Sequence, residues 1–208
     1  MMEMVNLPLI LAAAFVAAAS PGPATLAIAG TSMKSGRRLG LALASGITTG
    51  SLTWSCIAAF GLGALMLANV WVFEAIRYVG AGYLMYLAFK SAKSALTPGE
   101  SAARPLSVTS AGRAFGKGLA LHLTNPKAVL FFGSLYAIGI PPGVSPAVLL
   151  AVMAALALQS ALIFHGYALL FSSKPMILGY MRLRRWFEGV FAVAFGAAGL
   201  KVLTARIQ

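Results

Sequence analysis

Acidic residues are scarce in this chain, which holds four glutamates and no aspartate among 208 residues. No two glutamates lie at helical spacing, so a carboxylate pair for acid–base catalysis or for a metal ion is not expected. Cys56 is the only cysteine, which excludes an internal disulfide and paired-thiol redox chemistry. The sequence also lacks a nucleophile–base arrangement and a phosphate-binding loop. We therefore expect neither an enzyme nor a site for a metal or another cofactor.

Charged residues of either sign are also few, at 10% of the chain, whereas 60% is hydrophobic and the mean hydropathy is +0.87. A soluble domain of this length cannot bury so much apolar surface, so we expect an integral membrane protein in contact with a lipid bilayer. Sixteen lysines and arginines give a net charge of +12. They cluster between apolar stretches, as the positive-inside bias of membrane proteins predicts, so a nucleic-acid partner is not expected.

The apolar stretches predict six transmembrane helices and an all-α fold, since a helix needs about 20 apolar residues to cross a bilayer. The predicted spans are residues 5–32, 39–68, 72–91, 113–139, 146–171 and 186–203. A polar loop at about 96–112 divides a single transmembrane domain, residues 1–208, into repeats at about 5–95 and 113–204. Because each repeat has three spans, the repeats must have opposite orientations in the membrane.

The basic residues set the expected orientation of the six spans. Twelve flank the loops after the first, third and fifth spans, namely Lys34, Arg37, Arg38, Lys90, Lys93, Arg104, Arg113, Lys117, Lys174, Arg182, Arg184 and Arg185. The opposite side has three, namely Arg77, Lys201 and Arg206. The larger set is expected in the cytoplasm, which places both termini outside a bacterial-type inner membrane.

Proline interrupts the first span of each repeat, at Ser20-Pro21-Gly22-Pro23 and about 104 residues later at Asn125-Pro126. Proline removes a helical hydrogen bond, and unpaired backbone at membrane depth must be buried in protein or face a cavity. Interrupted helices at matching positions of two inverted repeats indicate a transporter's binding site.

A new half-helix starts at each break, and its first N–H groups together with the helix dipole favour an anion such as a carboxylate. At the first break we expect donors from Gly22, Ala24 and Thr25, with Ser20 available as the cap. At the second, Asn125 suits the N-cap and Pro126 the first helical position.

Lys127 follows the second break and lies about fourteen residues into its span, roughly 20 Å along a helix. It is too deep to snorkel easily, so it is expected to face the cavity. Its partner is either a substrate carboxylate or the carbonyl end of the other broken helix.

Other polar residues inside the spans are weaker candidates for the pathway. They are Thr49 in the second span, His122 in the fourth, and Gln159, Ser160 and His165 in the fifth. Ala42, Gly46 and Gly50 form a row of small residues that suits close helix packing, within one protomer or across a dimer. Glu188 is expected at the start of the sixth helix beside Arg184 and Arg185, in a structural role.

Four motifs together resemble the lysine exporter (LysE/RhtB-type) amino-acid efflux family over about residues 5–204. They are Ser20-Pro-Gly-Pro23, the Gly36-Arg-Arg-x-Gly40 turn, the block from Tyr78 to Leu87, and Leu123-Thr-Asn-Pro-Lys-Ala128. The resemblance implies a six-helix inner-membrane carrier that exports amino acids or related metabolites, by antiport with protons and often as a homodimer.

The chain differs from many members of that family at three positions. Ala24 stands where they have asparagine, and Ser51 and Ser160 stand where they have aspartates. The substrate's amino group and the coupling proton therefore lack those carboxylates here, and Ser51 joins the candidates for the pathway.

The sequence as a whole favours a secondary active exporter of amino acids or close derivatives. Its substrate carboxylate is expected at the two half-helix N-termini. The alternatives are an exporter of metal ions or other small solutes, and a membrane scaffold that transports nothing.

Overall fold

The computed structural model describes residues 5–68, 70–97, 105–141 and 143–204, which form eight helices. The helices are α1 (Leu7–Ala19), α2 (Pro23–Ser35), α3 (Arg37–Ala68), α4 (Val70–Leu96), α5 (Ala111–Leu123), α6 (Pro126–Gly139), α7 (Pro146–Leu170) and α8 (Lys174–Thr204). Among the predicted features, residues 98–104 of the polar loop, which include Arg104, and Arg206 lie outside the described residues, as do the side chains of Arg77, Lys174 and Lys201.

Both predicted breaks occur where the prolines stand. In the first, α1 ends at Ala19 and α2 begins with Pro23 as its first residue, and the two helices are bent by 52°. In the second, α5 ends at Leu123 and α6 begins with Pro126. Proline is tolerated at the first helical position because that residue's N–H has no helical partner.

The predicted start of the sixth helix is wrong, because α8 begins at Lys174 instead of near residue 186. Glu188 consequently lies inside the helix, where it is buried, and not at its start. Its Oε1 accepts a hydrogen bond from Ser94 Oγ at 3.0 Å, and Arg184 Nη2 donates to the same hydroxyl at 2.7 Å. These bonds tie α8 to the last turns of α4, so the structural role expected for Glu188 agrees with its contacts.

Helix pairs from the two halves of the chain pack most extensively on each other. The extensive pairs are α4 with α8, α3 with α5, and α3 with α7, and α1 also packs on α7. At the α3–α5 contact an added Cβ on Gly46 would collide with the Phe115 carbonyl, and one on Gly118 with the Leu43 carbonyl. The row of small residues therefore serves packing within one protomer, which decides between the two alternatives that the sequence left open.

Several helices have the length and composition for a lipid environment. Arg37–Gly61 and Pro146–Leu170 can each cross a bilayer by these criteria, and α1 with α2 forms a third crossing if the bent pair counts as one span. On α7, more than half of the surface of Leu150, Leu158 and Leu162 is exposed. A contiguous apolar face of this kind marks a membrane or protein contact.

The buried apolar side chains form two clusters. The first joins α1, the later part of α3, α4, α6, α7 and α8, and includes Leu84, Phe132 and Phe195. The second joins α2, α3, α5 and α7, and includes Ile28 and Leu43, which are fully buried. The break between α1 and α2 lies where the chain passes from the first cluster to the second.

Candidate functional site

A small cavity lies at this passage, where the two broken segments meet. Its walls come from α1, α2, α3, α5, α6 and α7, and it holds about 50 Å³. One water needs about 10–15 Å³ on this measure, so the cavity admits a few waters or a small polar group. Its polar lining residues are Ser20, Gly22, Thr25, Ser51, His122, Asn125, Lys127 and Ser160, and its apolar ones are Ala14, Ala17, Ala18, Ala24, Ala128, Phe131, Phe132, Leu156 and Phe164.

The last carbonyls of α1 are bound by side chains from other helices. Tyr167 Oη on α7 donates to the Ala19 carbonyl at 2.6 Å. Lys127 Nζ donates to the Ser20 carbonyl at 3.4 Å and to Ser20 Oγ. These contacts satisfy backbone acceptors that a helix leaves open at its C-terminus, as a break at membrane depth requires. Of the two partners foreseen for Lys127, the structure shows the carbonyl end of the other broken helix.

The start of α2 differs from the prediction, because Gly22 and not Ser20 is its N-cap. Gly22 N donates to Thr25 Oγ1 at 2.9 Å, and that hydroxyl donates back to the Gly22 carbonyl at 3.2 Å. Ser20 instead ends α1, where its hydroxyl donates to the Ala17 carbonyl. Among the described residues, none accepts a hydrogen bond from Ala24 N or Thr25 N. The start of α2 therefore presents two open N–H donors beside the cavity.

The start of α6 is capped as the sequence predicts, and its donors are occupied. Asn125 Oδ1 accepts from Lys127 N at 3.1 Å, and the Asn125 carbonyl accepts from Ala128 N at 2.9 Å and from Val129 N at 3.2 Å. Pro126 has no N–H to offer. The second break thus contributes side chains to the cavity, above all the ammonium of Lys127, whereas the first contributes backbone donors.

Lys127 crosses the cavity from α6 to the first break. A Cβ placed on Gly22 would lie 3.6 Å from Lys127 Nζ, which is ordinary van der Waals contact, so the ammonium lies close to the Gly22 backbone. The φ of Gly22 is −168°, an extended value that other residues also adopt. Neither close packing nor backbone conformation therefore requires glycine at this position.

His122 and Ser51 form a buried polar pair in the lining of the cavity. His122 Nε2 lies 3.0 Å from Ser51 Oγ, and the ring packs edge-on against Phe164. His122 Nδ1 is buried without a hydrogen-bond partner among the described residues. Trp54 Nε1 donates to the His122 carbonyl at 3.4 Å, which helps to fix this end of α5.

Three predicted pathway residues lie outside the cavity. Thr49 is exposed and donates to the Ser45 carbonyl of its own helix. Gln159 donates from Nε2 to the Leu11 carbonyl at 2.9 Å, linking α7 to α1. His165 has both ring nitrogens bonded, Nε2 to Ser45 Oγ at 3.0 Å and Nδ1 to the Ala161 carbonyl at 2.9 Å. Pro21, Pro23 and Pro126 shape the breaks without lining the cavity.

Sequence reasoning missed Tyr167 and the aromatic wall. Tyr167 lies 148 positions from Ala19, whose carbonyl it binds, and no local sequence pattern predicts that contact. Phe131, Phe132 and Phe164 resemble ordinary core residues in the sequence. Phe131 and Phe132 also belong to the first of the two apolar clusters.

The cavity has the chemistry of a site for a small anion or zwitterion. Lys127 supplies the positive charge, the start of α2 supplies open N–H donors, and no carboxylate lies among the described lining residues. Cation, donors and helix dipole all favour a carboxylate. The aromatic and alanine side chains of the lining favour a ligand whose other part is apolar or small.

Comparisons with known proteins relate the chain to one family of translocators. The family model described as LysE type translocator matches residues 15–206. The threonine efflux proteins of Salmonella typhi and Escherichia coli K12 are each 30% identical to this chain, over 92% of it and 94% of their own length. The leucine efflux protein of Salmonella choleraesuis is 36% identical over 56% of this chain and 54% of its own length. No solved structure matches significantly.

Proposed function

Because the chain belongs to the LysE-type translocator family, and is thus a membrane transporter and not an enzyme, we propose that it is a secondary active exporter of neutral amino acids. Threonine and leucine are the substrates named for its relatives, and both have uncharged side chains. The observation that carries the proposal is the meeting of Lys127 with the first helix break at a small polar cavity.

In this proposal the substrate carboxylate binds at the first break. It accepts from Ala24 N and Thr25 N and forms an ion pair with Lys127, whose ammonium turns from the Ser20 carbonyl toward the ligand. A charge-assisted hydrogen bond is stronger than a neutral one, so the carboxylate competes well for Lys127. Ser20, Gly22 and Asn125 position these donors.

A neutral side chain fits the remaining lining better than a charged one. A basic side chain would meet the ammonium of Lys127 and, among the described lining residues, no carboxylate. An acidic side chain would add a second charge to a site with one cation. A metal ion is disfavoured for a related reason, since the lining offers neither carboxylate nor thiolate.

We propose six spans arranged as two inverted repeats that rock against each other around the cavity. In such a pair, equivalent helices meet at the symmetry axis. The packing of α3 on α7 and of α4 on α8 supports this relation, as does the pairing of α3 with α5 and of α1 with α7.

We also propose that both termini lie outside and that three basic loops share the cytoplasmic side. Contacts between the loops support this. Arg37 Nε at the start of α3 donates to Ser172 Oγ after α7, and Arg185 Nε donates to the Ala95 carbonyl in the last turn of α4. Association into a homodimer, and coupling to inward movement of protons, complete the proposal.

The test is export from cells that express the protein and are loaded with dipeptides containing threonine or leucine. Hydrolysis raises the internal amino acid, and we expect faster appearance of threonine, leucine or both outside than in cells with empty vector. Equal release of all twenty amino acids with and without the protein, at verified membrane insertion, would contradict the proposal. A membrane scaffold would give that result.

A further inference from the structure

One ring nitrogen of His122 has no hydrogen-bond partner among the described residues, although the residue is only 5% exposed and lines the cavity. Nε2 is paired with Ser51 Oγ, whereas Nδ1 is bonded to none of the described residues. A buried polar atom left unpaired is costly, so each such atom in a native protein calls for an explanation, of which a ligand is one. The cavity makes such a use available.

The orientation of the ring sets where that nitrogen lies. A Cβ added to Gly50 would lie 3.2 Å from His122 Cδ2, so the Cδ2 edge faces α3. Nδ1 is on the opposite edge of an imidazole, away from α3. Phe164 of α7 packs edge-on against the ring and offers no competing hydrogen bond.

The groups around His122 leave it as the best acceptor for a cation. Helix α6 presents Lys127, α3 presents Ser51, and α7 presents Ser160 beside Phe164. Lys127 repels an ammonium, and no carboxylate lies among the described lining residues. The acceptors are therefore hydroxyls and one imidazole nitrogen, and the lone pair of a neutral imidazole is the most basic of them.

We propose that His122 Nδ1 accepts a hydrogen bond from the substrate's ammonium group. This inference rests on the proposed amino-acid export.

Two isosteric variants separate the two ring nitrogens. Asparagine places its amide oxygen near the position of Nδ1, so His122→Asn keeps an acceptor for the ammonium. Glutamine reaches the position of Nε2, so His122→Gln keeps a partner for Ser51 and loses the acceptor at Nδ1. His165→Gln is the matched control, because both nitrogens of that ring are bonded outside the cavity.

The first measurement is equilibrium binding of threonine and leucine to purified protein at neutral pH. His122→Gln should lower the affinity by about tenfold or more. His122→Asn should stay within about threefold of wild type. His165→Gln should bind as the wild type does.

A ligand without the ammonium tests the same contact from the other side. In 2-hydroxy-4-methylpentanoate, a hydroxyl replaces the amino group of leucine. The wild type should prefer leucine, His122→Asn should retain that preference, and His122→Gln should lose it. Elution of each variant as a monodisperse peak of wild-type size shows that it has folded, and the Asn and Gln variants check one another.

Wild-type affinity in His122→Gln, or an equal loss of affinity in His122→Asn and His122→Gln, would overturn the role of Nδ1 and leave amino-acid export intact. Failure of the wild type to bind either amino acid would overturn the proposed function itself.

Discussion

Replacing Lys127 with methionine removes the one charge that the described cavity lining contains and keeps the length of the side chain. Lys127 Nζ donates to the Ser20 carbonyl at 3.4 Å and to Ser20 Oγ. The hydroxyl keeps a bond to the Ala17 carbonyl without it. Only one backbone acceptor therefore loses its partner, while a half-buried charge disappears. These two effects oppose each other, so we expect the stability to change by no more than about 1 kcal/mol.

The effect on substrate binding should be much larger. Removing one partner of a buried, hydrogen-bonded charge pair costs about 2–5 kcal/mol. The affinity for threonine or leucine should accordingly fall roughly thirtyfold or more. Isothermal titration with purified protein measures this change, and the melting temperature without ligand measures stability.

Lys117→Met is the matched control for this prediction. Lys117 is exposed, and its Nζ also donates to a carbonyl, that of Ser107 at 2.7 Å, but it does not line the cavity. Its variant should bind as the wild type does. Wild-type affinity in Lys127→Met, with the protein folded, would refute the assignment of the carboxylate to this lysine.

Three further predictions concern the packing that holds the cavity. Gly118→Ala places a Cβ against a carbonyl of α3 and should destabilise the protein by about 1–3 kcal/mol. Gly116→Ala on the same helix is the control, because its Cβ would meet no atom within 4 Å and should not lower the stability. Thermal unfolding in detergent compares the two variants. Tyr167→Phe leaves the Ala19 carbonyl without its donor and should lower the stability by about 1–3 kcal/mol. Tyr86→Phe, at an exposed position, should not lower it. Equal melting temperatures of the two variants would refute the role of the Tyr167 hydroxyl. Asn125→Ala removes the N-cap of α6 and should lower the stability by about 0.5–2 kcal/mol. Asn125→Asp keeps a capping oxygen and should have nearly wild-type stability. An equal loss of stability in both variants would contradict the capping role.

Local chemistry made the two breaks predictable from the sequence. Proline restricts its own backbone and lacks an N–H, so Pro23 and Pro126 fix the starts of α2 and α6 whatever surrounds them. Asn125 is a preferred N-cap residue and precedes a proline, so its role as the N-cap of α6 was predictable as well. The row of small residues indicated a close contact, and only the fold shows that its partner is α5.

The errors arose where tertiary contacts override local preference. Serine is the better N-cap in general, yet Pro23 occupies the first turn of α2, which leaves Gly22 next to it as the cap. The start of α8 was missed because the rule for spans follows apolar residues, whereas a helix continues through charged ones when they find partners. Here Arg184 and Arg185 bond to the end of α4.

The composition of the site was predictable only in part for the same reason. Ser51 and His122 are 71 positions apart, and each was a separate candidate until the packing of α3 on α5 brought them within 3.0 Å. His165 and Gln159 looked equivalent to His122 in the sequence, but their hydrogen bonds tie helices together away from the cavity.

The central claim, that a substrate carboxylate binds beside Lys127, is tested most directly by comparing threonine with threoninol, in which the carboxylate is reduced to an alcohol. The affinity for each ligand is measured with the wild type and with Lys127→Met. We predict that the wild type prefers threonine by roughly thirtyfold or more and that the preference vanishes in the variant. A wild type that binds both ligands equally, or a preference that survives in Lys127→Met, would contradict the account.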